Sequence, residues 1–443
     1  MQLKKRHKLL TLAASTMIIL TGCAPGAAPE QTASTNTTPP QQQEIDKTSF
    51  AGEKMDYVYF SDGDADLTAT ETLVAQFEAE TGVTVNLQVV PFGDLEQLLQ
   101  ARLTGNDIPE VSRMAMLMVP TFTDELLDMR TYYGEAYKSE FIDGPLAVVL
   151  GKDGGMLGVP TDITMNGLVV NRAMFDAAGV EIPTTPWSWD EMLAAAETVQ
   201  KANGTSHAFI MDRSGHRLST ILSQFDTFLI GEDGGNGLNR ANTIDAFNML
   251  VELASDDRLS KDFFLEGGAT YAGGLDLFLA EEVPIYLGGN WLVGNLEANA
   301  PFEWSVAPNA CKINCGGFPG GKVTSAFKRS ANPELAAFFL HWLASTEQQS
   351  YIDSKANWLP TRVDLSEAGI NYELRSDAMS VFVSDIARTP AASYASTYSP
   401  IFGRAGTALV DNLQRAVGGV LSVEDAVDKL ISEVDALVAE QGK

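Results

Sequence analysis

Strand and helix signatures alternate in the first part of this chain, and that order constrains its fold more than any other feature. Met55-Asp56-Tyr57-Val58-Tyr59-Phe60 is aromatic and β-branched enough to read as a strand. Thr68-Ala69-Thr70-Glu71 has capping-box spacing, and Leu73, Val74 and Phe77 continue it as a helical stripe that stops at Gly82. Residues 83–90 read as a second strand and 95–103 as a second helix. Successive β-α-β-α units call for a parallel sheet with both faces covered. The pattern resumes with a strand over 166–170, and Ser188-Trp189-Asp190-Glu191 is another capping box, opening a helix through Val199. Further helices are expected over 243–254, 333–345 and 423–438, the last with Val427, Leu430, Ile431, Val434, Leu437 and Val438 along one face. A chain of 443 residues can fill two cores, so two α/β lobes of similar size fit better than one large sheet.

Ahead of this pattern lies a different kind of segment. Lys4, Lys5, Arg6 and Lys8 precede an apolar run over 9–20, and Leu20-Thr21-Gly22-Cys23 follows. As a helix that run reaches only ~18 Å, short of the roughly 30 Å hydrocarbon core of a bilayer. It therefore reads as an export signal over 1–22, with Cys23 as the lipidated first residue of the mature protein. Localisation outside a bacterial membrane, tied to it by that lipid, follows. Residues 23–53 are poor in large apolar side chains and read as a flexible tether, with ordered structure from about Glu53 and a single domain over 54–443. No later segment approaches the ~20 continuous apolar residues of a membrane span.

The removed segment carries four cations and no acid, which takes the net charge from −28 to −32. Such acidity repels phosphate backbones and argues against a nucleic-acid partner. Cys311 and Cys315 are expected to close a small disulfide loop in an oxidising compartment. A zinc half-site there would need two more ligands, and His7, His207, His216 and His341 offer no paired spacing. Nucleophile-elbow, HExxH and dinucleotide motifs are absent, so neither catalytic residues nor a cofactor nor a metal is expected. Gly316-Gly317-Phe318-Pro319-Gly320-Gly321-Lys322 matches the start of a P-loop, but Val323 stands where the magnesium-binding hydroxyl belongs. It reads instead as a glycine-rich loop whose backbone comes close to another segment or a ligand. Asp62-Gly63-Asp64-Ala65-Asp66 opens like a calcium loop, then departs from it at Leu67 and Leu73. Its place directly after the first strand makes Asp62 and Asp64 candidate acceptors for ligand hydroxyls, against the plainer role of charging a helix N-terminus. Trp187 and Trp189 flank a helix start and read as packing residues. Trp291 follows Gly288-Gly289-Asn290 at a strand end and reads as a stacking platform for a sugar ring, with core packing as the alternative.

Four stretches together resemble the extracellular solute-binding proteins of sugar ABC transporters, of the maltodextrin-binding type. They are Phe77-Glu78-Ala79-Glu80-Thr81-Gly82-Val83-Thr84-Val85; Gly158-Val159-Pro160-Thr161-Asp162 with Asn166-Gly167-Leu168-Val169-Val170-Asn171, Ala178-Gly179-Val180 and residues 186–191; residues 278–286 leading to Gly289-Asn290-Trp291; and residues 316–342 followed by Glu347-Gln348-Gln349 and Trp358-Leu359-Pro360. Val170 stands in place of a common tyrosine, and the Cys311–Cys315 loop is unusual for the group. The resemblance implies a two-lobed periplasmic-binding-protein fold, each lobe a mainly parallel sheet flanked by helices, with the ligand in the cleft between them. Lobe one would comprise about 54–162 and 312–346, and lobe two about 163–308 and 350–443. It also implies capture of a sugar or oligosaccharide without chemical change, and delivery to ABC permease subunits by a monomer. Asp62, Asp64, Arg113, Asp162, Asn290, Trp291, Gly317, Phe318 and Trp358 are the ligand-binding candidates on that pattern. A lipid-anchored glycoside hydrolase is the rival reading, and a surface adhesin a third. The 58 acidic residues make a carboxylate pair inevitable and so uninformative, whereas the order of landmarks favours capture.

Overall fold

A computed structural model describes residues 46–266 and 273–441. The export signal, Cys23 and the tether up to residue 45 lie outside the described residues. The last part of the expected tether does not behave as one. Residues 46–53 form turns that pack on the domain: Phe50 is buried 5.7 Å from Phe338, Lys47 pairs with Glu80 at 2.8 Å, and the Gly52 amide donates to the Gly82 carbonyl. A single aromatic anchor brings the ordered region forward to Asp46.

Ten strands are described: β1 (Lys54–Tyr59), β2 (Thr84–Val89), β3 (Val111–Ala115), β4 (Val159–Asn171), β5 (Trp187–Ser188), β6 (Ile210–Met211), β7 (Ile285–Gly289), β8 (Trp304–Ala307), β9 (Ala310–Cys311) and β10 (Pro319–Ala326). The main sheet runs β2-β1-β3-β10-β4-β7-β6, with β8 also paired to β4. Parallel pairing joins β2 to β1, β1 to β3, and β6 to β7. Antiparallel pairing dominates the middle, where β10 lies between β3 and β4, and β4 meets β7 and β8.

Two hydrophobic cores flank this sheet. The first gathers Phe50 to Val159 and then Val323 to Ala344, and also takes Ile352, Ala356 and Trp358. The second gathers Ile163 to Ala310, Phe318, Leu359, and Ala378 to Leu437. The hand-over falls inside β4, inside β10, and between Trp358 and Leu359, so the chain crosses three times. The crossings are tied together: the Ile163 amide donates to Leu359 O at 3.1 Å, and Thr361 Oγ1 donates to Pro160 O at 2.8 Å. The expected end of lobe one at about 346 and start of lobe two at about 350 would split the helix Thr346–Ala356; its apolar side faces the first core, and the boundary moves to 358.

Most predicted helices lie where periodicity put them, including Pro333–Leu343 and Val423–Gln441. Ser188 and Glu191 form their reciprocal cap, and Trp187 and Trp189 are buried with their indole N–H groups on Pro308 O and Gln224 Oε1. The first helix is the exception. It starts at Asp64, not at the Thr68–Glu71 box, because Asp66 closes its N-terminus by accepting from the Gly63 amide at 3.2 Å.

Candidate functional site

A cavity of about 330 Å³ opens between the two cores. Its first wall comes from the carboxyl ends of three parallel strands: Phe60 and Asp62 after β1, Phe92 after β2, and Ala115 to Leu117 at the end of β3. Ligands bind at this end of parallel α/β sheets because side chains of successive loops converge there. The facing wall carries Ser214, His216 and Arg217 from the start of the helix Gly215–Gln224, Trp291 and Leu292 after β7, and Thr397 and Phe402. Thr164, Gly320, Gly321 and Lys322, on the crossing strands, make the floor. Aromatic rings therefore face each other across the space, with a few polar groups between them.

Beneath the first wall lies a buried charge cluster. Arg113 is fully buried; its guanidinium donates to Phe60 O and sits 2.9 Å from Asp62 Oδ2 and 3.2 Å from Asp66 Oδ2. Its flat faces meet the rings of Trp358 at 4.5 Å and Phe60 at 4.6 Å. Lys322 Nζ bridges Asp62 at 2.8 Å and Asp162 at 2.7 Å. Asp66 also accepts from Tyr59 Oη, Ser61 Oγ and the Asp62 amide. Burial works against an ionised Asp62, but Lys322 and Arg113 outweigh it and hold its carboxyl below the usual range. Asp162 lies deeper, and burial pushes it up to about 6 in spite of the same two cations. Asp353, fully buried with neither carboxyl oxygen hydrogen-bonded among the described residues, is raised well above the ordinary value by burial and then by Asp162.

These raised carboxyls make folding take up protons. Their contribution to stability is fully present below the ordinary aspartate value and is lost as pH rises through the folded value, which for Asp162 is about 6. The melting temperature is therefore expected to fall between about pH 4 and pH 6, on a scale of at most ~3 kcal/mol for the Asp162 shift of about two units. Asp353→Asn, which mimics the neutral acid, should make the decline shallower. Thermal scans in constant ionic strength buffers check both; a melting temperature that rises steadily over this range contradicts the assignment.

The second wall is organised around Arg217. Its guanidinium is held by Asp212 at 3.0 Å, Asn166 Oδ1 at 2.8 Å and His216 Nδ1 at 2.7 Å, and lies 4.2 Å from the Trp291 ring centre. His216 Nε2–H donates to Pro319 O at 2.9 Å, so Nδ1 is the acceptor toward Arg217. Burial and then Arg217 push this imidazole down to about 3, which keeps it neutral at every physiological pH. Gly289 permits the arrangement of Trp291: a Cβ there would fall on the indole ring, so only glycine lets the ring lie back over the strand end.

The structure sorts the sequence candidates into two groups. Asp62 and Trp291 line the cavity. Asp162 is one layer beneath, behind Lys322. Arg113, expected as a ligand donor, spends its hydrogen bonds on Asp62, Asp66 and Phe60 and is sealed from the cavity by them. Asn290 is also internal: its amide accepts from the Met165 amide and donates to Asn357 O, tying two crossings together. Asp64 is exposed in the first helical turn and takes no part in the cavity wall. Gly317 packs flat on the backbone of Asn166, where a Cβ would overlap its carbonyl. Phe318 belongs to the second core, stacked on Phe402 at 5.6 Å, and Trp358 is buried under Arg113. Sequence reading missed His216, Arg217, Lys322, Phe60, Phe92 and Phe402. Only Lys322 carried a signal, as the lysine of the discarded P-loop pattern. Cys311 and Cys315 are disulfide-bonded, their Cα atoms 4.4 Å apart.

Residues 63–350 match the family model described as bacterial extracellular solute-binding protein. The chain belongs to this family. Members of this solute-binding family are not enzymes, which removes the hydrolase alternative. A binding protein of Brucella abortus is 24% identical over 332 residues, covering 70% of this chain and 76% of its own. The arabinooligosaccharide-binding protein of Halalkalibacterium halodurans is 23% identical over 170 residues, 38% of each chain. Among solved structures, the fold is similar to a substrate-binding protein of Listeria monocytogenes in complex with cycloalternan (TM-score 0.74, 19% identity, 87% of this chain and 99% of that one). It is equally similar to the GacH receptor of Streptomyces glaucescens, studied unliganded and with acarbose (TM-score 0.75, 18% identity, 88% and 99%). The two-lobed α/β fold of maltose-binding-type proteins is thereby established for this solute-binding protein.

Proposed function

We propose that this solute-binding protein captures a sugar or oligosaccharide and delivers it, unchanged, to the membrane subunits of an ABC importer. The observation that carries this reading is the pair of aromatic walls: Phe60 and Phe92 on one side, Trp291 and Phe402 on the other, with Asp62, Thr164, Ser214 and Lys322 between them. Carbohydrates need that combination, since their ring faces are apolar and their edges carry hydroxyls. The volume of about 330 Å³ supports a small-molecule ligand. Similar folds hold cycloalternan, acarbose and maltose, which adds to the case. A thermal-shift screen against mono-, di- and oligosaccharides tests the reading, because a ligand that binds only the folded state raises the melting temperature. A panel of amino acids, polyols and glycerol phosphate serves as the contrast; a shift confined to that panel overturns the sugar assignment.

The protein acts, on this reading, as a monomer tethered to the outside of the cell membrane by a lipid on Cys23. The basic cluster, the short apolar run and Leu20-Thr21-Gly22-Cys23 support the anchor. Cys23→Ser is expected to shift the protein from the membrane fraction to the medium, or to leave it unprocessed. Normal processing with unchanged membrane fractionation contradicts the anchor.

A further inference from the structure

We infer that the Cys311–Cys315 disulfide, through Gln224, is a positioning device for the ligand cavity. Residues 311–322 run beside the helix Gly215–Gln224 and are bonded to it at both ends. At the C-terminal end, Gln224 O accepts from the Ile313 amide at 2.9 Å and the Asn314 amide at 3.0 Å, both inside the disulfide loop. The Gln224 side chain, itself buried, donates through Nε2 to Gly316 O at 3.0 Å and accepts the Trp189 indole N–H at 2.8 Å. Asn314 Nδ2 donates to Ser223 O and Asp226 Oδ1. At the N-terminal end, His216 donates to Pro319 O, and its ring meets Phe318 edge to face at 5.2 Å.

Helix and strap both reach the cavity at the end away from the disulfide. The helix supplies His216 and Arg217 to its second wall, and the strap supplies Gly320, Gly321 and Lys322 to its floor. Orphaned carbonyls at a helix C-terminus normally go to a glycine turn or to water; here the last of them, Gln224 O, is taken by a covalently closed loop. Between the anchors the strap has little slack. Gly316 has φ +93° and would collide with Thr389 if it carried a Cβ, and Gly317 lies against the Asn166 carbonyl. With the loop closed, the start of the strap, the helix and the floor form one body. With it open, Gln224 loses the fixed position of its partners, and the helix and floor can shift relative to each other. A cavity that must be ordered at the moment of binding has lower affinity than one ordered in advance. The inference deepens the sugar-capture reading and rests on it for its ligand.

The test uses the full mature chain, oxidised or reduced, and the variants Cys311→Ser/Cys315→Ser and Gln224→Ala. Hydrogen exchange needs no ligand: opening the disulfide is expected to speed exchange across residues 214–224 and 319–322 as well as in the loop. Faster exchange confined to 311–316 overturns the inference. Calorimetry is then run with whichever sugar gives the largest thermal shift. The double serine variant and Gln224→Ala should each weaken binding about tenfold, as expected for lost preorganisation. The triple variant should lose less than the sum of the two losses, since both loosen the same junction of helix and loop; full additivity overturns the inference. A lower melting temperature with unchanged affinity marks a purely structural disulfide and also overturns it. If no sugar shifts the wild type, the sugar reading fails by itself, and the exchange data still decide the strap.

Discussion

Arg113→Ala is expected to cost about 3–5 kcal/mol of stability, a large share of the roughly 5–15 kcal/mol by which folded proteins are stable. The magnitude comes from what remains after the change. Asp62, at the cavity edge, and the buried Asp66 would lose their guanidinium partner, and Lys322 alone would face Asp62 and Asp162. Phe60 O would lose its donor, and the rings of Trp358 and Phe60 would lose the flat cation between them. Arg113→Lys should recover only part of the loss, because an ammonium cannot reach Phe60 O and two carboxylates at once in one plane. Urea titration measures the difference. A loss below about 1 kcal/mol would mean that solvent reaches the cluster and the charges are screened.

Trp291→Ala is expected to weaken binding of the cognate sugar by about 1–3 kcal/mol, or ten- to a hundredfold, while stability falls less. One face of the indole is covered by Arg217 at 4.2 Å, and the ring is only partly buried against the second core, so its remaining surface borders the cavity. Trp291→Phe should retain most of the affinity, since a smaller ring still offers a flat face. Calorimetry and thermal scans on the two variants separate the effects. If affinity holds while the melting temperature drops by many degrees, Trp291 is a core residue and the ligand lies elsewhere in the cavity.

Local signals in the sequence were enough to find the β-α-β-α start, the Ser188–Glu191 cap and the helix faces, because each is written in residues a few positions apart. The insertion of β10 between β3 and β4 was invisible from the residues alone. It joins positions far apart in the chain, such as Lys322 with Ala115 and with Asp162, and nothing in a short window selects antiparallel pairing there. The site was legible where glycine and a flat ring occur together, as at Gly289 and Trp291. It was misread where a polar residue at a strand end was assumed to face the ligand. Arg113 and Asn290 both occupy such ends, yet both point inward, because buried carboxylates in one case and the crossing backbones in the other claim them first. His216 and Arg217 left no trace, since a helix start looks the same whether or not it borders a cleft.

The threefold crossing of the chain has a consequence for biogenesis. The first core needs Val323 to Ala344 and Trp358, which are synthesised only after nearly all the strands of the second core. Closing a loop of that length is entropically slow, and folds dominated by such distant pairings form late. A chain leaving the cell N-terminus first would thus expose β1 to β3 on the far side of the membrane long before their central neighbour arrives. Premature compaction inside the cell is discouraged by the same connectivity, so the topology that builds a two-sided cleft also keeps the polypeptide threadable through an export pore.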